Sequence, residues 1–470
     1  MTTCFLTRTA LFLLPILSIG AQAQETAHDT MPGMQMRSFE EILQTTPSNL
    51  LPQIGQQSKD GGGPVYSLED LEAKALQNNP TLPQAEADLR SAQGRRVQAG
   101  LWPNPTVGYV GDEIAGGVGV NGGRQGGFVE QTIVLGRKLY LAQKVAGSDT
   151  KIAELEREEQ RYRIQNAIRS AYFQTLSAQE LVALQDQYVK LATATLETAQ
   201  RLANVGARDA SEVEMAAIEL ERAKLAADVK RTRLQQEWEN LRSIIGAPSM
   251  PAGYLIGRLD ADLPQLDSER LVNVLVTESP AIKIARESVT RAESSVLEAR
   301  RQPVPDLRLR AGIEQNFEQN ELTGKPFGLE GLAEVRVELP IFNRNQGNVA
   351  SARADLERSQ GEIRRIELQL RQQASVAVEQ YQTARAAVER YQTQILPRTN
   401  RLYEMQLKAW GRMSLSYPQV LFAQQSLFTA QAEYIRALQN VRTNAVALSG
   451  FLLSDGLGAP ASGVSQPAMR

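Results

Sequence analysis

The residues of this chain that could do chemistry are few. The lone histidine, His28, lies in "HDTMPGMQM", with Met31, Met34 and Met36 close behind it. Three thioethers beside one imidazole make a soft donor set of the kind that suits Cu(I) or Ag(I). The same residues read more simply as a disordered, oxidation-prone tail running into "KDGGGP". A single histidine excludes a His-based catalytic triad and a multi-histidine metal site. "GDEIAGGVGVNGGRQGG" is glycine-rich, but no Gly-Lys-Ser/Thr follows it, so it reads as a flexible hairpin tip and not a phosphate loop. Asp209, Glu212 and Glu214 could draw cations to a charged mouth, or they could cap and solvate a helix. No paired acid and base, no nucleophile with its base and no cofactor motif appears. The sequence therefore predicts a protein that is not an enzyme and needs no cofactor.

The bulk composition points to the elements that would hold these residues. Formal net charge is -2 over 470 residues, so there is no basic footprint for nucleic acid. Aromatics make up only 6%, while Ala, Glu, Gln, Arg and Leu abound, which favours long helices over a thick core. At the N-terminus Arg8, the apolar "ALFLLPILSIG" and Ala21-Gln22-Ala23 have the layout of a cleavable signal peptide over residues 1–23. Cys4 lies upstream of that apolar run, so no lipid anchor is expected, and cleavage leaves a chain without cysteine. No run of 18 apolar residues follows, so no transmembrane helix is expected; a β-barrel strand would leave a far weaker trace.

The chain reads twice. "LWPNPTVGYV" at 101 and "RQPVPDLRLR" at 301 share a Pro-x-Pro at the same offset, and Pro80 and Pro280 repeat that spacing. Gly206 in "LANVGARDAS" aligns with Gly411 in "LKAWGRMSLS", and Gly246 with Gly450. This divides the chain into a flexible tail (24–65), a first repeat (66–250), a second repeat (251–452) and a C-terminal tail (453–470). Each repeat predicts helix, proline hinge, strands, a very long helix, a glycine turn and a return helix.

In the second repeat Leu307, Leu309, Ala311 and Ile313 alternate with Arg308, Arg310 and Glu314, and Ala333, Val335, Val337 and Leu339 with Glu334, Arg336 and Glu338. Period two puts apolar and charged residues on opposite faces. Either the sheet lies on a core with its charged face in water, or it is a barrel wall with lipid outside and water inside. Val107, Tyr109, Val129, Gln131 and Ile133 give a weaker version in the first repeat. Between Gly136 and Gly206 only Gly147 interrupts, so Arg137 to Asn204 can run as one helix of about 100 Å. Leu181, Leu184, Tyr188, Leu191 and Thr195 mark its packed stripe. Arg344 to Ala409 repeats the arm, with a kink expected at Pro397. Helices of this length make a rod, as in a periplasmic coiled-coil scaffold, or, joined to strands, a tube.

With "SLEDLEAKALQNNPTL", "WPNP", "VEQTIVLGRK" and "LPIFNRNQGNVASARADLE", the chain resembles the TolC-like outer membrane efflux channels, in their heavy-metal branch, over roughly residues 66 to 452. The resemblance implies a mainly α protein with a small β part. Long antiparallel helical hairpins would form a periplasmic tunnel, and each protomer of a homotrimer would give four strands to a shared twelve-stranded barrel in outer-membrane lipid. It implies a passive duct working with a periplasmic adaptor and an inner-membrane pump. Arg308, Arg310, Glu314, Glu334, Arg336 and Glu338 would face the lumen. Gly206, Ala207, Arg208, Gly411, Arg412 and Ser414 would be the adaptor-docking tips. Asp209, Glu212, Glu214, Gln419 and Phe422 would lie at the periplasmic mouth, where some relatives carry aspartates at the positions of Gln419 and Phe422. The lipidated cysteine of many relatives is missing here.

Overall fold

The computed structural model describes residues 63–114, 123–204, 206, 209–319, 322, 324–411 and 414–459. Two halves of the chain trace the same path. Ahead of each half lies a short strand, β1 (Val65–Tyr66) and β4 (Tyr254–Leu255), and the two pair with each other in parallel. In the first half, helices α1 (Leu68–Asn78) and α2 (Thr81–Ala99) lead into strands β2 (Thr106–Asp112) and β3 (Arg124–Ile133), followed by α3 (Lys138–Asn204) and α4 (Ala210–Ile245). The second half gives α5 (Ser268–Glu278), α6 (Pro280–Arg301), β5 (Leu307–Gln319), β6 (Pro326–Val337), α7 (Gln346–Arg390), α8 (Leu396–Gly411) and α9 (Tyr417–Ser449).

Helix α3 is unbroken over 67 residues, about 100 Å. It packs along α4, α2, α6 and α9, burying Leu184, Tyr188 and Thr195 of its apolar stripe. The second arm differs. Between α7 and α8 the chain makes a π-helical turn, Tyr391–Ile395, in which the Leu396 amide donates to Tyr391 five residues back. Pro397 has no N–H to continue the ladder, and the wider turn takes up the mismatch. Where the sequence predicts a kink at Pro397, the structure places a π-helical turn immediately before it.

The two glycine stops also differ. Gly246 ends α4 in the left-handed region at φ 77°, with the Ala247 amide bonded to the Arg242 carbonyl at 3.1 Å. Gly450 has an ordinary φ of -94°, and Phe451 and Leu452 take the left-handed steps at 59° and 60°. Its glycine serves close approach. A Cβ there would overlap the side-chain amide of Asn166, whose Nδ2 donates to the carbonyls of Gly450 and Leu453 at 2.8 Å each.

The core sits at mid-height, where α1, α3, α4, α7 and α9 converge on Tyr66, Ile164, Ile168, Trp238, Leu241, Leu255, Tyr381 and Tyr434. The segment after β4 straps across it. Gln179 of α3 exchanges hydrogen bonds with the Leu255 backbone, the Tyr172 hydroxyl donates to Ile256, and Arg442 of α9 donates to the Leu259 and Asp262 carbonyls.

The other four strands form one antiparallel sheet in the order β2-β3-β5-β6. The glycine-rich run contributes more to it than a hairpin tip, because Arg124 to Gly127 already belong to β3. A Cβ on Gly126 would collide with the Ile313 carbonyl, so glycine lets the two strands pair here.

Candidate functional site

The register sorts the sheet into two faces. On one face the cross-strand rows are Gln131–Leu309–Val335, Val107–Val129–Ala311–Ala333 and Tyr109–Gly127–Ile313–Gly331. These side chains are uncovered: Val107 is 76% exposed, Tyr109 66%, Ile313 60% and Val335 67%. Among the described residues no core is laid against this continuous apolar wall.

On the opposite face the rows are Thr132–Arg308–Arg336, Thr106–Glu130–Arg310–Glu334, Gly108–Phe128–Gly312–Leu332 and Val110–Gly126–Glu314–Glu330. Glu334 ties two arginines, 2.5 Å from Arg336 and 3.9 Å from Arg310. Sequence reasoning named Arg308, Arg310, Glu314, Glu334 and Arg336 for this face, and the register places all five on it. Glu338 lies one residue beyond the end of β6. Phe128, Glu130, Glu330 and Leu332 were missed; the interleaved glycines of β3 and β6 hide the period-two signal that would have found them.

Where strand turns into helix, the backbone is unusual. Gly136 and Arg137, before α3, have φ of 71° and 59°, and Asn345, before α7, has φ 60°. The Gly136 Cα lies against the second proline hinge, since a Cβ there would meet Val304 at 2.8 Å. Asn345 in turn donates to the Ala299 carbonyl of α6 at 2.8 Å. Each half thus locks its sheet-to-arm junction onto the hinge region of the second repeat.

At mid-height a carboxyl is held in an unusual state. Burial, with Asp260 adding to it, pushes Glu180 up to about 7, against the opposing pull of the Leu259 backbone hydrogen bond and Arg258.

At the far end of the arms the two hairpins meet. Ala199, Ala216, Trp410, Tyr417 and Val420 bury one another, with the Trp410 and Tyr417 rings 5.9 Å apart. Gly206 turns at φ 70°, and no described residue lies within 4 Å of where a Cβ would be. Gly411 is the last residue of α8, and Ser414 closes that end, its amide and hydroxyl both donating to the Ala409 carbonyl at 3.0 and 2.9 Å. Asp209 is the N-cap of α4, though its side chain makes no capping bond. Glu212 reaches the other hairpin, accepting from the Tyr417 amide at 3.3 Å, while Glu214, Gln419 and Phe422 face outward. Farther up, buried Glu219 of α4 accepts from Tyr188 of α3 and, at 3.1 Å, from Gln425 of α9. His28, Met31, Met34, Met36, Ala207, Arg208 and Arg412 lie outside the described residues. Among the described residues no three His, Cys, Asp or Glu side chains gather as a metal site, and no helix is long and apolar enough to cross a membrane.

The sequence that folds into this sheet and these arms matches one family's pattern over residues 71–247 and 271–452. The chain belongs to the outer membrane efflux protein family. This efflux protein is 25% identical to the cobalt-zinc-cadmium resistance protein CzcC of Cupriavidus metallidurans over 380 residues, 81% of this chain and 88% of that one. In fold it is similar to CusC, with a TM-score of 0.70 at 16% identity, covering 87% of this chain and 99% of that one. It is similar also to VceC of Vibrio cholerae, with a TM-score of 0.67 at 20% identity over 82% and 96%. The fold is that of a TolC-like channel protomer, long helical hairpins joined to a four-stranded sheet.

Proposed function

We infer that the chain is one protomer of a homotrimeric duct in the outer membrane, the exit of a tripartite system that exports heavy-metal cations. The observation that carries this reading is the sheet. Among the described residues its apolar face is uncovered, and its outer strands β2 and β6 each have one unpaired edge. Four strands cannot close on themselves, whereas three copies supply twelve, within the range of membrane barrels. Edge pairing between copies satisfies the backbone, lipid covers the apolar wall, and the charged face then lines water.

The arms extend the tube into the periplasm, and the joined tips near Gly206 and Gly411 dock a helical adaptor. Asp209, Glu214, Gln419 and Phe422 ring the mouth. The chain carries no nucleotide-binding motif, so the transport energy comes from the partner pump. The metal substrate rests on the similarity to CzcC; an organic-drug duct is the alternative.

Two measurements test the reading. Outer-membrane extracts run with and without boiling, followed by native mass measurement in detergent, are expected to show a heat-modifiable trimer; a stable monomer overturns the duct. Deletion of the gene is expected to lower tolerance to cobalt, zinc or cadmium. Sensitivity to organic drugs with unchanged metal tolerance replaces the metal assignment with the alternative.

A further inference from the structure

One row of the charged face is unlike its neighbours. Phe128 is the one aromatic side chain among the described residues of that face, and glycines flank it on both sides, Gly108 on β2 and Gly312 on β5. The ring lies down on the wall: a Cβ on Gly108 would collide with its Cζ, and one on Gly312 would sit 3.1 Å from its Cβ. Over the ring stacks Arg310, its guanidinium carbon 3.7 Å from the ring centre. Arg310 Nε is buried without a hydrogen-bond partner, which places the guanidinium on the π face instead of in an ordinary donor network. Its reach toward Glu334 is long, 3.9 Å, and Glu334 is already held by Arg336. The ring, more than the carboxylate, therefore fixes where this positive charge sits.

We propose that Arg310 sets the ion preference of the barrel and that Phe128 is its positioning residue, with Gly108 leaving the bed on which the ring lies flat. The inference rests on the charged face being the lumen of the duct. In the closed barrel three such pairs hold three cationic groups against the wall at one height. There they oppose the carboxylates of Glu314 and Glu330, which face each other two rows away with no arginine in their row. A guanidinium clamped to a ring keeps both its height and its distance from the pore axis. A free one, on four rotatable bonds, swings into the stream and averages its field over a wide volume.

Trimers reconstituted in planar bilayers under a potassium chloride gradient give the test, read as reversal potential, conductance and open-channel noise. Arg310→Gln is expected to move the reversal potential toward cation preference. Phe128→Leu, which keeps apolar bulk but has no π face, is expected to move it the same way by a smaller step, with lower conductance and more noise. Phe128→Tyr is expected to restore wild-type values. The double variant is expected to match Arg310→Gln alone, because a positioning residue has nothing left to position. If Phe128→Leu fails to assemble as a heat-modifiable trimer, Phe128→Met takes its place. A wild-type reversal potential in Arg310→Gln, unchanged noise in Phe128→Leu (or in Phe128→Met where it takes its place), or additive effects in the double variant overturn the proposal while the duct stands. A wild-type trimer without conductance removes the lumen and the proposal with it.

Discussion

Asp306, at the foot of β5, sits 2.9 Å from Lys138 Nζ at the start of α3, and the same Oδ1 accepts from the Leu135 amide at 3.1 Å. Helix α3 opens with a lysine and has no acidic residue in its first turn, an arrangement the helix dipole disfavours. The missing negative charge comes from the other half of the chain, 168 residues away in sequence. One carboxylate thereby fastens the first repeat's exit from the sheet to the second repeat's approach to it.

Asp306→Ala is accordingly expected to loosen that junction. The pair is largely shielded on the lysine side, so a loss of about 1 to 2 kcal/mol is expected after allowance for solvent screening. The readout is the temperature at which the detergent-resistant trimer dissociates on a gel. Wild-type melting in Asp306→Ala contradicts the junction role.

The two sheet faces are expected to differ sharply in tolerance. Val129 lies in the central row of the apolar face, and Glu130, the next residue, points the other way beside Arg310. Val129→Arg sets a charge against lipid near mid-depth, at a cost of roughly 2 to 4 kcal/mol. Glu130→Gln is expected to leave assembly intact and alter conduction alone. Equal loss of membrane insertion in both variants rules out a lipid-facing wall.

Glu180 makes stability depend on pH. Its folded-state value of about 7 lies above the ordinary 4.5, so the folded protein keeps a proton that the unfolded chain releases. Stability from this group is therefore full below about pH 4.5, falls as pH rises toward 7, and is flat beyond. Across that window the loss is at most about 3 kcal/mol per protomer. Glu180→Gln, which still offers an oxygen to Leu259, is expected to melt above wild type at pH 8 and with it at pH 4.5. A difference between the two that does not change with pH removes Glu180 as the cause.

Much of this architecture was legible in the sequence, for reasons that can be traced. Leu307 to Arg310 alternate without interruption, so period two is plain from the order of the residues alone. Lys138 to Asn204 contain no proline and one glycine, so nothing stops the helix. What stayed hidden depends on partners far apart in the chain. Phe128 stands among glycines, and only pairing with β2 and β5 reveals that it carries Arg310. Glu212 reads as a mouth charge until Tyr417, from the other hairpin, is found donating to it. Gly450 reads as a helix stop, whereas its missing side chain makes room for Asn166. The alignment of Gly206 with Gly411 suggested twin turns, yet in the fold one is left-handed and the other is the last residue of its helix.

Gly206 offers the cleanest test of the tips. Its φ of 70° is strained for most side chains, but nothing among the described residues lies within 4 Å of where a Cβ would be. Conformation and space can thus be separated by two substitutions. Asparagine accepts the left-handed region better than other non-glycine residues, so Gly206→Asn keeps the turn while filling the open space. Gly206→Ala fills less space and bears more strain, about 1 kcal/mol. If the glycine only ends α3, Asn is the mild change and Ala the harmful one, and trimer yield ranks them. If the tip docks an adaptor hairpin closely, Asn is the harmful change, because it crowds the contact without disturbing the fold. The expected result is a normal trimer with lost adaptor cross-linking and lost metal tolerance in Gly206→Asn, against near-normal cross-linking in Gly206→Ala. Full cross-linking of the Asn variant at normal yield removes this turn from the docking surface and leaves it as a helix stop.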